Sequence, residues 1–234
     1  MKLFKIACLA LIAGTMTVGQ TSCSSFTKTG KGALIGGGGG AALGAGIGAL
    51  IGGGKGAGIG PAIGAAVGAG AGTLIGNKMD KQKKELEAQL AQKAEVESVK
   101  DQNGLEAIKV TFNSGILFPF NGTSLNNAAK QDLTTFASSL INNPQTNVQI
   151  FGYTDNVGSY AANEKVANGR ADAVRTYLIH SGVAASRITA QGVPMADYVA
   201  SNDTPEGRAQ NRRVEIYITA SPQMIQAAEN GTLQ

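Results

Sequence analysis

Val148-Gln149-Ile150-Phe151-Gly152-Tyr153-Thr154-Asp155-Asn156-Val157-Gly158 passes from an apolar run into a short polar loop. Val148–Tyr153, rich in β-branched and aromatic residues, reads as a strand. Ala161–Ser181 then carries Val166, Ala173, Val174, Tyr177 and Leu178, the pattern of a helix, and Ser181-Gly182 is a stop signal. A strand that feeds a helix through Thr154-Asp155-Asn156 decides the fold class, because such a unit belongs to an α/β domain. It also puts a carboxylate in the kind of loop where ligand contacts concentrate.

The pattern extends in both directions. Ala107–Phe112 alternates through Ile108, Val110 and Phe112 as a strand does, and Gly115-Ile116-Leu117-Phe118 continues it. Ser124 is expected to cap a helix reaching about Ile141, with Leu125, Ala128, Leu133, Phe136 and Leu140 on its apolar side. Downstream, Arg187–Gly192 reads as a short strand, and Val214-Glu215-Ile216-Tyr217-Ile218 alternates cleanly. The order β-α-β-α-β-β over residues 104–220 predicts a mixed sheet with two helices on one face. Residues 221–234 read as a C-terminal tail.

Asp155 in the loop can receive an ammonium. Arg170, on the helix that follows, can hold a carboxylate in a bidentate pair that lysine cannot reproduce. Taken singly, the first reads as a turn residue and the second as a solvated helix charge. Brought to one pocket, they suit the zwitterionic head of an amino acid.

Several blocks in order carry a resemblance. Phe151–Gly158, Asn163, Gly169-Arg170-Ala171 and Ser201-Asn202-Asp203-Thr204-Pro205-Glu206-Gly207-Arg208-Ala209-Gln210-Asn211-Arg212-Arg213-Val214-Glu215-Ile216 resemble the OmpA-like peptidoglycan-binding domain. Tyr153 stands where that family more often has histidine, and Val166-Ala167 where Leu-Ser is usual. The resemblance implies that Asp155 and Arg170 bind meso-diaminopimelate of the peptidoglycan stem peptide. It further implies that Asn121, Asn163 and Arg213 support the ligand by hydrogen bonding. Arg212 reads as a loop-holding partner of Glu206 or Asp203.

Upstream the chain changes character. Of its 33 glycines, 21 lie in Gly30–Gly76, and every fourth residue from Gly32 to Gly76 is glycine. Apart from Lys55, Gly32–Asn77 carries no charge. Extended small-xxx-small spacing is the packing face of membrane helices, and it resembles the glycine-zipper segments of bacterial envelope lipoproteins. Residues 32–76 are therefore expected to form a membrane-associated helical hairpin that turns near Gly52–Lys55, with self-association through the glycine face. Residues 77–103, with six basic and six acidic side chains, read as a charged helical linker.

Residues 1–22 read as an export signal. Lys2 and Lys5 precede an apolar run over Ile6–Val18, too short to span a bilayer. Gly19-Gln20-Thr21-Ser22-Cys23 resembles a bacterial lipobox, which marks Cys23 as the lipidation site, residues 23–31 as a short linker and outer-membrane lipid as a partner. Ser24 resembles the sorting residue of outer-membrane lipoproteins.

The formal charge of +4 reflects a few N-terminal lysines, since Gly104–Ala220 holds nine basic and nine acidic residues. No basic face calls for nucleic acid. One His and one Cys beyond the signal cannot build a zinc site. His180, at a helix end, reads as a dipole partner or surface residue. No nucleophile-elbow or phosphate-loop motif occurs, so neither an enzyme nor a cofactor is expected. The expected function is an outer-membrane lipoprotein, with its C-terminal domain in the periplasm, that ties the membrane to peptidoglycan. The alternative is a membrane-active glycine-zipper oligomer or pore, tethered by the wall-binding domain.

Overall fold

The computed structural model describes residues 67–101, 103–119 and 121–233. The expected signal, the Cys23 lipidation site and the glycine hairpin lie outside the described residues, except for the last steps of the ladder. The elements run α1 (Ala69–Gln89), β1 (Glu95–Lys100), β2 (Glu106–Asn113), α2 (Ser114–Leu117), α3 (Asn127–Asn142), β3 (Thr146–Tyr153), α4 (Tyr160–His180), β4 (Ile188–Val193), α5 (Pro205–Asn211), β5 (Arg213–Ala220) and α6 (Pro222–Glu229). The five strands form one mixed sheet in the order β1-β2-β5-β3-β4. Only β3 and β4 pair in parallel, with α4 as their crossover. The other neighbouring pairs are antiparallel.

Strand alternation decides what each face does. Ile108, Val110, Phe112, Val148, Ile150, Val214, Ile216 and Ile218 turn one way and pack with the helices into the main core. Phe112 meets Phe136 of α3 edge to face, with ring centroids 6.3 Å apart. The opposite face carries Phe151, Tyr153, Arg213, Glu215 and Tyr217. The α/β class and the mixed sheet agree with the sequence reading, but the helical layer is larger than the expected two helices.

Two additions come from segments read as outside the domain. Helix α1 runs straight through the expected boundary at 76/77. Ala71, Ile75, Met79, Gln82, Leu86 and Leu90 recur at steps of four and three, and all are buried. Removing Ile75, Met79, Leu86 and Leu90 from water contributes on the order of 6–12 kcal/mol as an upper bound. That exceeds anything surface ion pairs such as Lys83–Glu87 supply. The expected charged linker is therefore a core helix followed by an edge strand, β1. The expected tail folds as α6, capped by Ser221 Oγ, which accepts from Met224 N, and it buries Met224, Ile225 and Ala228. Among the described residues no helix is long and apolar enough to cross a membrane.

Cap chemistry sets the remaining helix starts. Asn126, not Ser124, caps α3, its Oδ1 accepting from Ala129 N at 2.8 Å. Ser159 does the same for α4, accepting from Ala162 N at 3.3 Å. Helix α4 then crosses the sheet over two glycines that are register neighbours, Gly152 and Gly192. A β-carbon on Gly152 would lie 2.3 Å from the Ala167 carbonyl oxygen, and one on Gly192 would lie 2.5 Å from Asn168 N. Gly152→Ala is expected to destabilise the domain at or above the upper end of the ~1–3 kcal/mol range for overpacking, because helix backbone cannot rotate aside. Urea unfolding checks it; an unchanged midpoint would refute this contact.

Candidate ligand-binding site

Strand β3 ends at Tyr153, so Thr154 and Asp155 emerge at its C-terminal end. The Asp155 carboxylate is buried and held from two sides. Oδ1 accepts from Val157 N at 3.0 Å, a local turn that fixes the side chain's orientation. Oδ2 accepts from Arg212 Nη1 at 2.6 Å, a short charge-assisted bond. Asn163, in the first turn of α4, donates Nδ2–H to the carbonyls of Val157 (2.9 Å) and Ser159 (3.1 Å). Its side chain thereby clamps the loop that follows Asp155.

Arg170 reaches the site from the middle of α4 and is 4% exposed. Its Nε donates to Gly122 O at 3.1 Å, and its guanidinium lies over the Phe118 ring, 5.4 Å from the centroid. Among the described residues its terminal nitrogens carry no hydrogen bond, which leaves one edge of the fork for a ligand. Burial lowers the Arg170 pKa most, the like charge of Arg212 adds to this, and the Asp155 carboxylate opposes both. The three charges therefore share one electrostatic neighbourhood. Two guanidinium groups against one carboxylate leave a single positive charge in excess, which favours a carboxylate on the ligand. Asn121 is exposed on the turn beside Gly122, with φ of +54°. The structure thus brings Asp155, Arg170, Asn163 and the Asn121 loop together. Among the described residues no group of three or more His, Cys, Asp or Glu side chains is placed to hold a metal.

Arg213 departs from the expectation. It is 2% exposed and lies on the opposite face of the sheet. Its Nε donates to Glu215 Oε1 at 2.7 Å, its Nη2 donates to Asp197 O at 3.0 Å, and its guanidinium stacks 3.8 Å from the Tyr153 ring centroid. Tyr217 donates its hydroxyl to Glu215 Oε2 at 2.9 Å. With every edge engaged, Arg213 is a framework residue. Arg212, one position earlier, takes the place in the site and bonds neither Glu206 nor Asp203. Strand parity is the signal that separates them: Val214 and Ile216 face the helices, so Arg213 and Glu215 face away.

This second face also makes the domain sensitive to alkali. Burial and then the Glu215 charge push the Tyr217 and Tyr153 hydroxyls well above their usual range. A folded-state pKa raised above the unfolded one means that stability is full below pH ~10. It declines above that, where only the unfolded chain ionises, by about 1.4 kcal/mol per pH unit for each tyrosine. Tyr217→Phe is expected to reduce the loss of unfolding free energy between pH 10 and 11 by about 1 kcal/mol, the slope there still rising toward its limit. An unchanged slope would remove Tyr217 from this account.

Comparison with known proteins agrees with this fold. Residues 117–212 match the model of the OmpA family, and residues 1–80 match that of the YMGG-like Gly-zipper. The protein named "Probable lipoprotein YiaD" of Escherichia coli (strain K12) is 40% identical over 148 residues, 63% of this chain and 65% of that protein. The peptidoglycan-binding protein ArfA of Mycobacterium tuberculosis is 42% identical over 112 residues, 48% of this chain and 34% of that protein. The chain thus spans from about a third to 65% of the length of these curated relatives. Among solved structures, a MotB-like protein from Desulfovibrio vulgaris superposes with a TM-score of 0.55 at 26% identity, covering 64% of this chain and 96% of that one. The cell wall anchor of the T6SS from Pseudomonas aeruginosa superposes with a TM-score of 0.51 at 29% identity, covering 59% of this chain and 99% of that one. In its sequence, its mixed five-stranded sheet and its helical layer, the C-terminal part of this chain is similar to the OmpA family and has an OmpA-like fold.

Proposed function

We propose that this chain is an outer-membrane lipoprotein whose C-terminal domain binds peptidoglycan non-covalently through the free amino-acid head of meso-diaminopimelate. The observation that carries the reading is the gathering of Asp155, Arg170 and Arg212 at one end of β3. An ammonium placed against Asp155 loosens its bond to Arg212, and that guanidinium then joins Arg170 in receiving the carboxylate. After the exchange each charged group still faces one of opposite sign, with the ligand carboxylate shared by the two guanidinium groups. Asn163 and the Asn121 loop shape the pocket. The relative named a peptidoglycan-binding protein and the one named a lipoprotein support the assignment.

In this reading Cys23 carries the acyl chains that anchor the chain to the outer membrane, and the glycine ladder associates with lipid and with copies of itself. The chain works as a tether and is not an enzyme. Titration of the purified protein with a diaminopimelate-type muropeptide tests the proposal. A lysine-type muropeptide, which lacks the terminal carboxylate, is the control. Clear preference for the first is expected, because only it offers a carboxylate to Arg170 and Arg212. Equal affinity for both, or affinity for neither, would overturn the assignment.

A further inference from the structure

Seven large apolar side chains stand exposed among the described residues. Four of them lie on two segments that border Asp155: Val157 (61% exposed), Tyr160 (59%), Tyr198 (39%) and Val199 (45%). Scattered apolar residues on a surface need no explanation, but a group beside a charged site does. Val157 is tied there by its own N–H, which donates to Asp155 Oδ1.

Tyr198 and Val199 ride on a strap over residues 194–200. Thr154 Oγ1 accepts from Met195 N at 3.0 Å. Asn211 Oδ1 accepts from Val199 N at 2.8 Å and from Ala200 N at 3.0 Å. Arg213 donates to Asp197 O. Thr154 adjoins Asp155 and Asn211 adjoins Arg212, so the residues that pin the strap also adjoin the ion pair. Met195 and Asp197 both have φ of +51°. Non-glycine residues persist in that region only where their surroundings over-determine them, and such strain collects at ligand clamps. Burial and then the Asp155 charge push the Tyr198 hydroxyl pKa upward, which places that side chain within electrostatic reach of the carboxylate.

We infer that Tyr198, Val199 and Val157 form an apolar wall for the aliphatic arm of the ligand, so that the strap reads the ligand's carbon chain while the ion pair reads its head. The inference rests on the zwitterion reading above. A head held at Asp155 and Arg170 sends its methylene chain out past the residues that flank Asp155. Arg213 is then a positioning residue: it holds the strap from beneath without touching ligand.

The full chain is titrated with meso-diaminopimelate. Tyr198→Ala is expected to weaken binding about 10-fold, since each methylene left in water forfeits roughly fourfold in affinity. Val157→Ser is expected to weaken it about fivefold. Tyr198→Phe keeps the ring face and stays within about twofold of wild type. If wild type binds and Asp155→Asn does not, while Tyr198→Ala and Val157→Ser bind like wild type, the wall is refuted and the head reading stands. If Tyr198→Phe loses as much as Tyr198→Ala, the hydroxyl acts and the apolar wall is wrong. If wild type itself does not bind, both readings fall.

Discussion

Asp155→Asn is expected to weaken binding of a diaminopimelate muropeptide by roughly 30- to 4,000-fold while the domain stays folded. The amide keeps the size of the carboxylate, and its oxygen still accepts from Val157 N. It no longer neutralises an ammonium, and it leaves Arg212 without its ionic partner. The Asp155 end of the pair is buried and the Arg212 end partly so, and losing the charge that faces the ligand's ammonium and Arg212 together costs about 2–5 kcal/mol in a binding site. Arg170→Lys is expected to fall in the same range for a different reason. Its charge survives, but the fork, the bond to Gly122 O and the stacking over Phe118 are lost together. Calorimetric titration of both variants, with circular dichroism to monitor folding, decides the matter. Folded variants that bind as wild type does would place the site elsewhere.

On the other face of the sheet, Glu215→Ala is expected to cost about 3–5 kcal/mol of stability. Arg213 and Glu215 are both nearly inaccessible, and removing the acid strands a guanidinium in the interior and takes away the acceptor of the Tyr217 hydroxyl. Replacing both partners, as Arg213→Met with Glu215→Leu, is expected to recover most of the loss, because two apolar side chains of similar size leave no charge unpaired. Urea unfolding of the single and double variants measures the difference. A single variant as stable as wild type would show that the pair does not support the sheet.

Where the sequence was legible, one periodicity dominated. Val214, Ile216 and Ile218 alternate against charged or polar neighbours, and Val148–Tyr153 runs into a loop whose chemistry is plain. Helix α1 was harder to see because its buried stripe, from Ala71 to Leu90, begins among glycines and ends among lysines and glutamates. The change in composition at residue 77 masks a continuous period. Strand β1, Glu-Val-Glu-Ser-Val-Lys, is a half-exposed edge whose charges resemble those of the helix before it. At the candidate site, the residue types of Asp155 and Arg170 suggest a zwitterion pocket, and the fold brings the two near one another. The choice between Arg212 and Arg213 depends on which way a strand's first side chain points, and a motif does not state that.

The N-terminal helix of this domain has a mechanical consequence. Of the last steps of the four-residue ladder, Gly68 is the N-cap of α1 and Gly72 and Gly76 lie within it, and α1 is fastened to the sheet and to the final helix, α6, by side chains from Ala71 onward. No slack separates the end of the ladder from the core. Tension entering at Ala69 loads the hydrophobic contact of α1 at once, where a pliant leash would first have to be drawn straight. The first event under load is then the stripping of a helix from its bed, so the grip of Ile75, Met79, Leu86 and Leu90 sets the force the domain can bear.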